Sequence, residues 1–146
     1  MTFFSPSYVT DSPASIGNVE FGTPPVKILS SVCGRNAEEM IEQAKAIEEA
    51  GADVIEWRAD YFDEAGDWRE AVRQMKAAVA KPILYTFRTR AEGGVCTTPL
   101  SDTSYRKKVI EAIESGLFEA VDIEIARGRA EQLVDAARQA GVTSIV

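Results

Sequence analysis

From residue 26 to residue 146 the chain repeats one pattern: a short β-rich run, then an amphipathic helical run. The β-rich runs are "VKILSSVC", "DVIEWRADYF", "PILYTFRT", "EAVDIEIA" and a closing "VTSIV". Between them lie "NAEEMIEQAKAIEEAG", "DWREAVRQMKAAVA", "SDTSYRKKVIEAIESG" and "GRAEQLVDAARQAG". The helical runs carry their own punctuation. Asn36 and Asp67 stand as N-caps, Gly51, Gly116 and Gly141 follow the ends, and Pro82 stops the second run. Met40, Ile41, Ala44 and Ile47 form the apolar stripe of the first. Strands joined through helices run parallel, because a hairpin cannot connect parallel neighbours. Each unit takes roughly thirty residues, the length of a βα repeat.

Two parallel architectures compete, an open doubly wound sheet of flavodoxin type and a (β/α)8 barrel of the TIM type. In a doubly wound sheet, helices cover both faces and central strands read as unbroken apolar runs. Here the strands alternate. In "GADVIEWRADYFD", Ile55, Trp57 and Ala59 share one face, and Val54, Glu56, Arg58 and Asp60 the other. In the third strand Ile83, Tyr85 and Phe87 oppose Leu84, Thr86, Arg88 and Arg90. In the fourth, Val121, Ile123 and Ile125 oppose Asp122 and Glu124. One apolar face toward helices and one polar face toward an interior is the barrel arrangement, with charges gathered at the carboxyl ends of the strands, where barrel enzymes place their sites. A whole barrel takes about 250 residues. The 146 residues here match about half of one: five parallel strands and four helices, breaking off inside the fifth strand. "SIGNVEF", "GTPP" and "VKILSSVCG" read as two short strands around a turn, an N-terminal hairpin. Residues 1–14, rich in Ser, Thr and Pro, are expected to form a mobile tail, and 15–146 the half-barrel.

Composition narrows the chemistry. A net charge of −7 argues against nucleic acid and anionic membranes as partners, since both select a basic face. No apolar run reaches the ~18 residues of a membrane span, and no signal peptide is expected. Two cysteines, Cys33 and Cys96, form no disulfide framework, which fits the cytoplasm. There is no histidine, so the commonest base near neutral pH and the commonest metal ligand are both absent from these residues. No glycine-rich nucleotide fingerprint follows the first strand. Cys33 lacks a histidine to activate it and reads as a small buried residue. Lys27 lies at the wrong end of its strand, and the other lysines fall on helices or their ends. Trp57 reads as core.

The charges then need an account. Glu56, Arg58, Asp60, Arg88, Glu92, Asp122 and Glu124 roughly balance in sign. Such a cluster suits a small polyhydroxylated ligand, because carboxylates accept from hydroxyls and guanidinium groups donate. A purely structural ion-pair network is the alternative. The segment "RTRAEGGVC" reads as a βα loop turning at Gly93 and Gly94 that brings Glu92 over the barrel mouth.

"KILSSVCG", "ADVIEWRADYFD", "PILYTFRTRAEGG" and "VDIEIA", in this order and spacing, resemble the type I 3-dehydroquinate dehydratases of the shikimate pathway. The resemblance runs from about Ile16 to Val146 and covers the first half of that family's domain. It implies a (β/α)8-barrel lyase of aromatic amino acid biosynthesis. That lyase converts 3-dehydroquinate to 3-dehydroshikimate with no metal or cofactor. A lysine forms an imine with the substrate ketone, and a histidine transfers the proton. By matching positions, Ser31, Glu56, Arg58 and Arg88 are the implied substrate contacts. Glu92 is the acid beside the catalytic histidine, and Asp60, Asp122 and Glu124 are supporting charges. The histidine and the imine lysine are not among these residues, so the stretch alone is expected to be inactive. Its two open sheet edges and one uncovered face suggest self-association, most simply as a homodimer.

Overall fold

The computed structural model describes residues 14–97 and 99–146. Except for Ala14, the expected mobile tail lies outside them. The order is β1 (Ser15–Ile16), β2 (Val19–Glu20), β3 (Leu29–Val32), α1 (Ala37–Glu49), β4 (Val54–Arg58), α2 (Trp68–Ala78), β5 (Ile83–Thr86), α3 (Asp102–Ser115), β6 (Ala120–Asp122), α4 (Ala130–Ala140) and β7 (Thr143–Ile145). Short 3₁₀ turns, Ala59–Tyr61 and Arg90–Glu92, follow β4 and β5.

Strands β3 to β7 form one sheet in sequential order, every pair parallel. This order decides between the two architectures. A doubly wound sheet reverses its strand order once, which places helices on both faces. Here the order never reverses, and right-handed crossovers keep all four helices on one side. The flavodoxin-like alternative is therefore overturned.

The helices form where local chemistry directs them. The Asn36 side chain accepts from the Glu39 N–H at 3.0 Å, and Asp67 accepts from the Arg69 and Glu70 N–H groups. Each contact satisfies an otherwise orphaned donor of the first turn. Gly116 and Gly141 close α3 and α4 in left-handed conformation.

The two faces of the sheet carry separate cores. On the helix side, Val32, Ile55, Trp57, Ile83, Tyr85, Phe87, Val121 and Ile123 pack against Met40, Val72, Met75, Val109 and Leu133. Trp57 is the centre, its ring 5.8 Å from Phe118 and 5.9 Å from Trp68, both stacked. Burying an aliphatic or aromatic side chain of this size stabilises by about 1.5–3 kcal/mol each, so this face supplies most of the hydrophobic driving force. On the inner face the core is small: Val54, Leu84 and Ala120, capped by Ile16.

The hairpin provides that cap, but it closes differently from the sequence reading. Its turn is Gly17–Asn18, inside "SIGNVEF", with Ile16 opposite Val19; "GTPP" is the connection onward to β3. The hairpin plugs the amino-terminal end of the inner face, and the Thr143 hydroxyl donates to the Ser15 carbonyl at 2.7 Å. The charged side chains Glu56, Arg58, Arg88 and Asp122 stand toward the carboxyl ends of the strands, away from this plug.

The strands are shorter than the alternation suggested. Asp60 belongs to a 3₁₀ turn, and Arg88 and Glu124 lie past the ends of β5 and β6. Ile125 is not part of the helix-side core: the chain has left the sheet by then, and the residue is 75% exposed. Arg90 is likewise an exposed turn residue.

Candidate active site

Register sets the first pair of site residues. Ser31 on β3 stands opposite Glu56 on β4, and its hydroxyl donates to Glu56 Oε2. One step further along, Arg58 stands opposite Thr86 on β5.

Arg58 is held from the turn that follows it. Its Nε and Nη2 donate to the two carboxylate oxygens of Asp60, each at 2.8 Å. This is the bidentate geometry that gives guanidinium–carboxylate pairs both strength and direction. The Asp60 side chain is fully buried, and it also accepts the backbone N–H of Val95 at 3.2 Å and of Arg88 at 3.4 Å. Burial alone would raise its pKa. The Arg58 hydrogen bonds and the two backbone donors outweigh that and hold it below the ordinary carboxylate value. Asp60 thus fixes Arg58 and the start and end of the loop after β5 together.

Glu124 clamps the same loop from the other side. Its oxygens accept the Thr89 N–H and hydroxyl, both at 2.7 Å. The Glu124 N–H donates to the Tyr105 hydroxyl oxygen at 2.8 Å, and Arg127 Nε lies 3.5 Å from its carboxylate.

Between the clamps sits Arg88. Its Nη1 is 3.1 Å from Asp122 Oδ1, 3.4 Å from Glu92 Oε2 and 3.8 Å from Glu124 Oε1. The Asp122 contact is short but poorly aligned, and Asp122 Oδ1 accepts no well-directed hydrogen bond among the described residues. We read it as a charge contact. Burial raises the Asp122 carboxyl above its usual pKa, the attraction of Arg88 only partly opposing it.

The structure therefore pairs Ser31 with Glu56 and Arg88 with Glu92, while Arg58 turns to Asp60 rather than to either glutamate. Thr86, Thr89, Tyr105 and Cys33 were not anticipated at the site. Thr86 is fully buried on the inner face, and its hydroxyl has no partner among the described residues. Cys33 is half-buried rather than buried. Its thiol is pushed up by burial, with Arg58, Asp60 and Glu56 near enough to act on it. Thr86 and Cys33 had a signal in their place on the polar side of their strands, whereas Thr89, past the end of β5, and Tyr105, on α3, had none. Among the described residues no group of three or more Cys, Asp or Glu is arranged to hold a metal ion, and no helix is long and apolar enough to cross a membrane.

Comparison with known proteins places the chain as a whole. The family model described as type I 3-dehydroquinase matches residues 28–146. A 3-dehydroquinate dehydratase of Klebsiella pneumoniae is 36% identical over 138 residues, which cover 90% of this chain and 54% of that protein. Its Enterococcus faecalis counterpart is 29% identical over 140 residues. Among solved structures, the type I 3-dehydroquinate dehydratase of Clostridium difficile superposes with a TM-score of 0.82 at 27% identity, over 90% of this chain and 54% of that one. The Enterococcus faecalis structure gives 0.80 at 29%, over 90% and 57%. The chain spans about half the length of the curated relatives it matches. On the residues matched and the shared fold, it belongs to the type I 3-dehydroquinase family.

Proposed function

We propose that these residues supply the substrate-holding half of a dehydratase site that acts on 3-dehydroquinate. The supporting observation is the setting of Arg88, a partly exposed cation at the open end of the inner face, fixed by its own backbone N–H on Asp60 and ringed by carboxylates. A substrate carboxylate or hydroxyl oxygen meets a donor there whose position is already set, so little ordering is lost on binding. Ser31 and Glu56 offer a hydroxyl and a carboxylate for substrate hydroxyl groups. Arg58 gives its Nε–H and one Nη2–H to Asp60, which leaves both Nη1–H groups and the second Nη2–H as donors. Glu92, 3.4 Å from Arg88, is the acid proposed to stand beside the family's catalytic base.

The imine and proton-transfer steps implied by the resemblance need a lysine and a histidine. The sequence has no histidine, and its lysines lie on helices, beside them, or at the amino-terminal end of β3. On their own, residues 1–146 are proposed to bind substrate weakly and to be catalytically inactive. Borohydride trapping with 3-dehydroquinate tests this: no lysine adduct is expected, and a stable one overturns the inactivity. Calorimetric titration of 3-dehydroquinate tests the binding role. Arg88→Ala should abolish the heat, and unchanged binding would remove Arg88 from the site.

The reading also takes the protein as cytoplasmic and as a homodimer. Support for the second is the partly exposed Leu29 and Ile145 on the two edge strands. A monomeric mass by light scattering would refute it.

A further inference from the structure

The charges at the open end of the inner face do not cancel. Glu56, Asp60, Glu92, Asp122 and Glu124 stand there against Arg58, Arg88 and Arg127, so the site is acidic before any ligand enters. 3-Dehydroquinate carries a carboxylate of its own. Its entry adds negative charge to a partly buried place where Arg88 is already shared among carboxylates. Such a charge is offset by a counter-ion or by a proton.

These carboxylates are not equally able to take the proton. Asp60 accepts from Arg58 and from the Val95 and Arg88 N–H groups, all of which favour its ionised form. Glu124 accepts from the Thr89 N–H and hydroxyl and lies beside Arg127. Glu56 accepts the Ser31 hydroxyl. The Glu92 side chain is 37% exposed, and water screens its charge. Asp122 has none of this support. Its side chain is 17% exposed, its Oδ1 accepts no well-directed hydrogen bond among the described residues, and burial already disfavours its charge.

Strand register supplies a neighbour for the protonated acid. Leu84 pairs with Ala120 and Tyr85 with Val121, which carries Thr86 beside Asp122 on the inner face. The Thr86 hydroxyl is fully buried and also lacks a partner among the described residues. A carboxyl O–H on Asp122 and the hydroxyl oxygen of Thr86 are complementary, so one proton gives both orphaned groups a partner. The other groups that act on Asp122 are Arg88, which it shares with Glu92, then Glu56 from β4, Glu124 past the end of β6 and Tyr105 on α3. Arg58, opposite Thr86, is turned to Asp60, and β7 sets the uncharged Ile145 opposite Asp122.

We propose that 3-dehydroquinate binds together with a proton, that Asp122 holds this proton, and that the Thr86 hydroxyl accepts from the neutral acid. Asp122 is then a positioning residue: once neutral, it no longer competes with the ligand for Arg88. This rests on the substrate-holding role proposed for Arg88. Uptake falls between the pKa of Asp122 in the free protein and its higher value in the complex. Across that interval affinity falls as pH rises, by at most about tenfold per pH unit for a single proton. The chain has no histidine, so proton uptake from the carboxylate range to neutrality reports a carboxyl group.

The test is calorimetric titration of 3-dehydroquinate into the chain over that range, in MES and in imidazole at matched pH, whose heats of ionisation differ. The binding heats should differ between the buffers as proton uptake requires, and affinity should fall with rising pH. Asp122→Asn should remove both effects and keep binding, with an affinity at neutral pH no weaker than wild type. Thr86→Val, its fold checked by circular dichroism, should take up less proton than wild type at the same pH. Equal heats in the two buffers, or uptake that persists in Asp122→Asn, overturns the proposal. Uptake in Thr86→Val equal to wild type removes Thr86 from it. No binding by the wild type at any pH overturns the substrate-holding reading, and the proposal with it, whereas binding without proton uptake overturns the proposal alone.

Discussion

Asp60 and Arg58, two residues apart, lock together through two 2.8 Å hydrogen bonds across the end of β4. The pair is local in sequence, yet Asp60 also accepts N–H groups from Arg88 and Val95, on the next loop. One buried carboxylate thereby sets the position of both arginines.

Replacing Asp60 by Asn leaves Arg58 in a mostly buried position without its counter-charge. Breaking such a pair by removing one partner costs about 3–5 kcal/mol, and D60N should lose an amount near the lower figure because the amide oxygen still accepts one bond. The folded carboxyl has a lowered pKa, so its stabilisation is present above the unfolded value of about 3.9 and fades as pH falls through the folded value. Urea unfolding should show a wild-type advantage at pH 7 that shrinks below about pH 4. A constant difference across that range would remove Asp60 as the titrating group.

Asp122 should behave with the opposite sign. Its carboxyl is harder to ionise when folded, chiefly through burial, with Glu56 and Glu124 adding to this and Arg88 opposing. Its charge therefore lowers stability above the folded pKa and costs nothing below the unfolded one. Asp122→Asn is expected to raise the denaturation midpoint at pH 7, with the two curves converging in acid. A lower midpoint at pH 7 would mean that the contact with Arg88 outweighs the burial cost.

Gly94 admits no side chain. A Cβ there would sit 1.9 Å from the Arg88 carbonyl oxygen, so the backbone itself must move. Gly94→Ala should displace the loop that carries Arg88 and Glu92, at a cost of about 1–3 kcal/mol typical of forced overpacking. Binding of 3-dehydroquinate should fall in parallel. An alanine variant with wild-type stability and binding would show that the loop is not held as described.

Tyr105 supports the site from α3 without facing it. Its hydroxyl oxygen accepts the buried Glu124 N–H. Tyr105→Phe keeps the ring but orphans that donor, and should cost about 1–3 kcal/mol. Faster amide exchange at Glu124 and Thr89, measured by NMR, would locate the effect; unchanged exchange there would refute it.

Much of this was legible in the chain. Asn36 and Asp67 cap helices because a short side-chain oxygen beside the first turn has N–H groups within reach, whatever lies elsewhere in the fold. Ile55, Trp57, Ile83, Tyr85, Val121 and Ile123 fall on one core because alternate residues of a strand must share a face. The same alternation placed Glu56, Arg58, Arg88, Asp122 and Glu124 on the other side, while Ser31 came from the family resemblance. It failed at Ile125 and Asp60, where the strands had already ended. Alternation says which side a residue takes while the chain stays extended, and not where it stops being so.

The sequence by itself therefore determined the parallel βα order, the helix ends and the polarity of each sheet face, all set by neighbours within a few residues. Only the tertiary structure decided that Glu124 grips Thr89, that Asp60 reaches Val95, and that Ile16 plugs the inner face. The first two contacts join residues 35 apart in the chain. They depend on strand register and on the helices packing against one face, and neither is encoded in any short stretch of sequence.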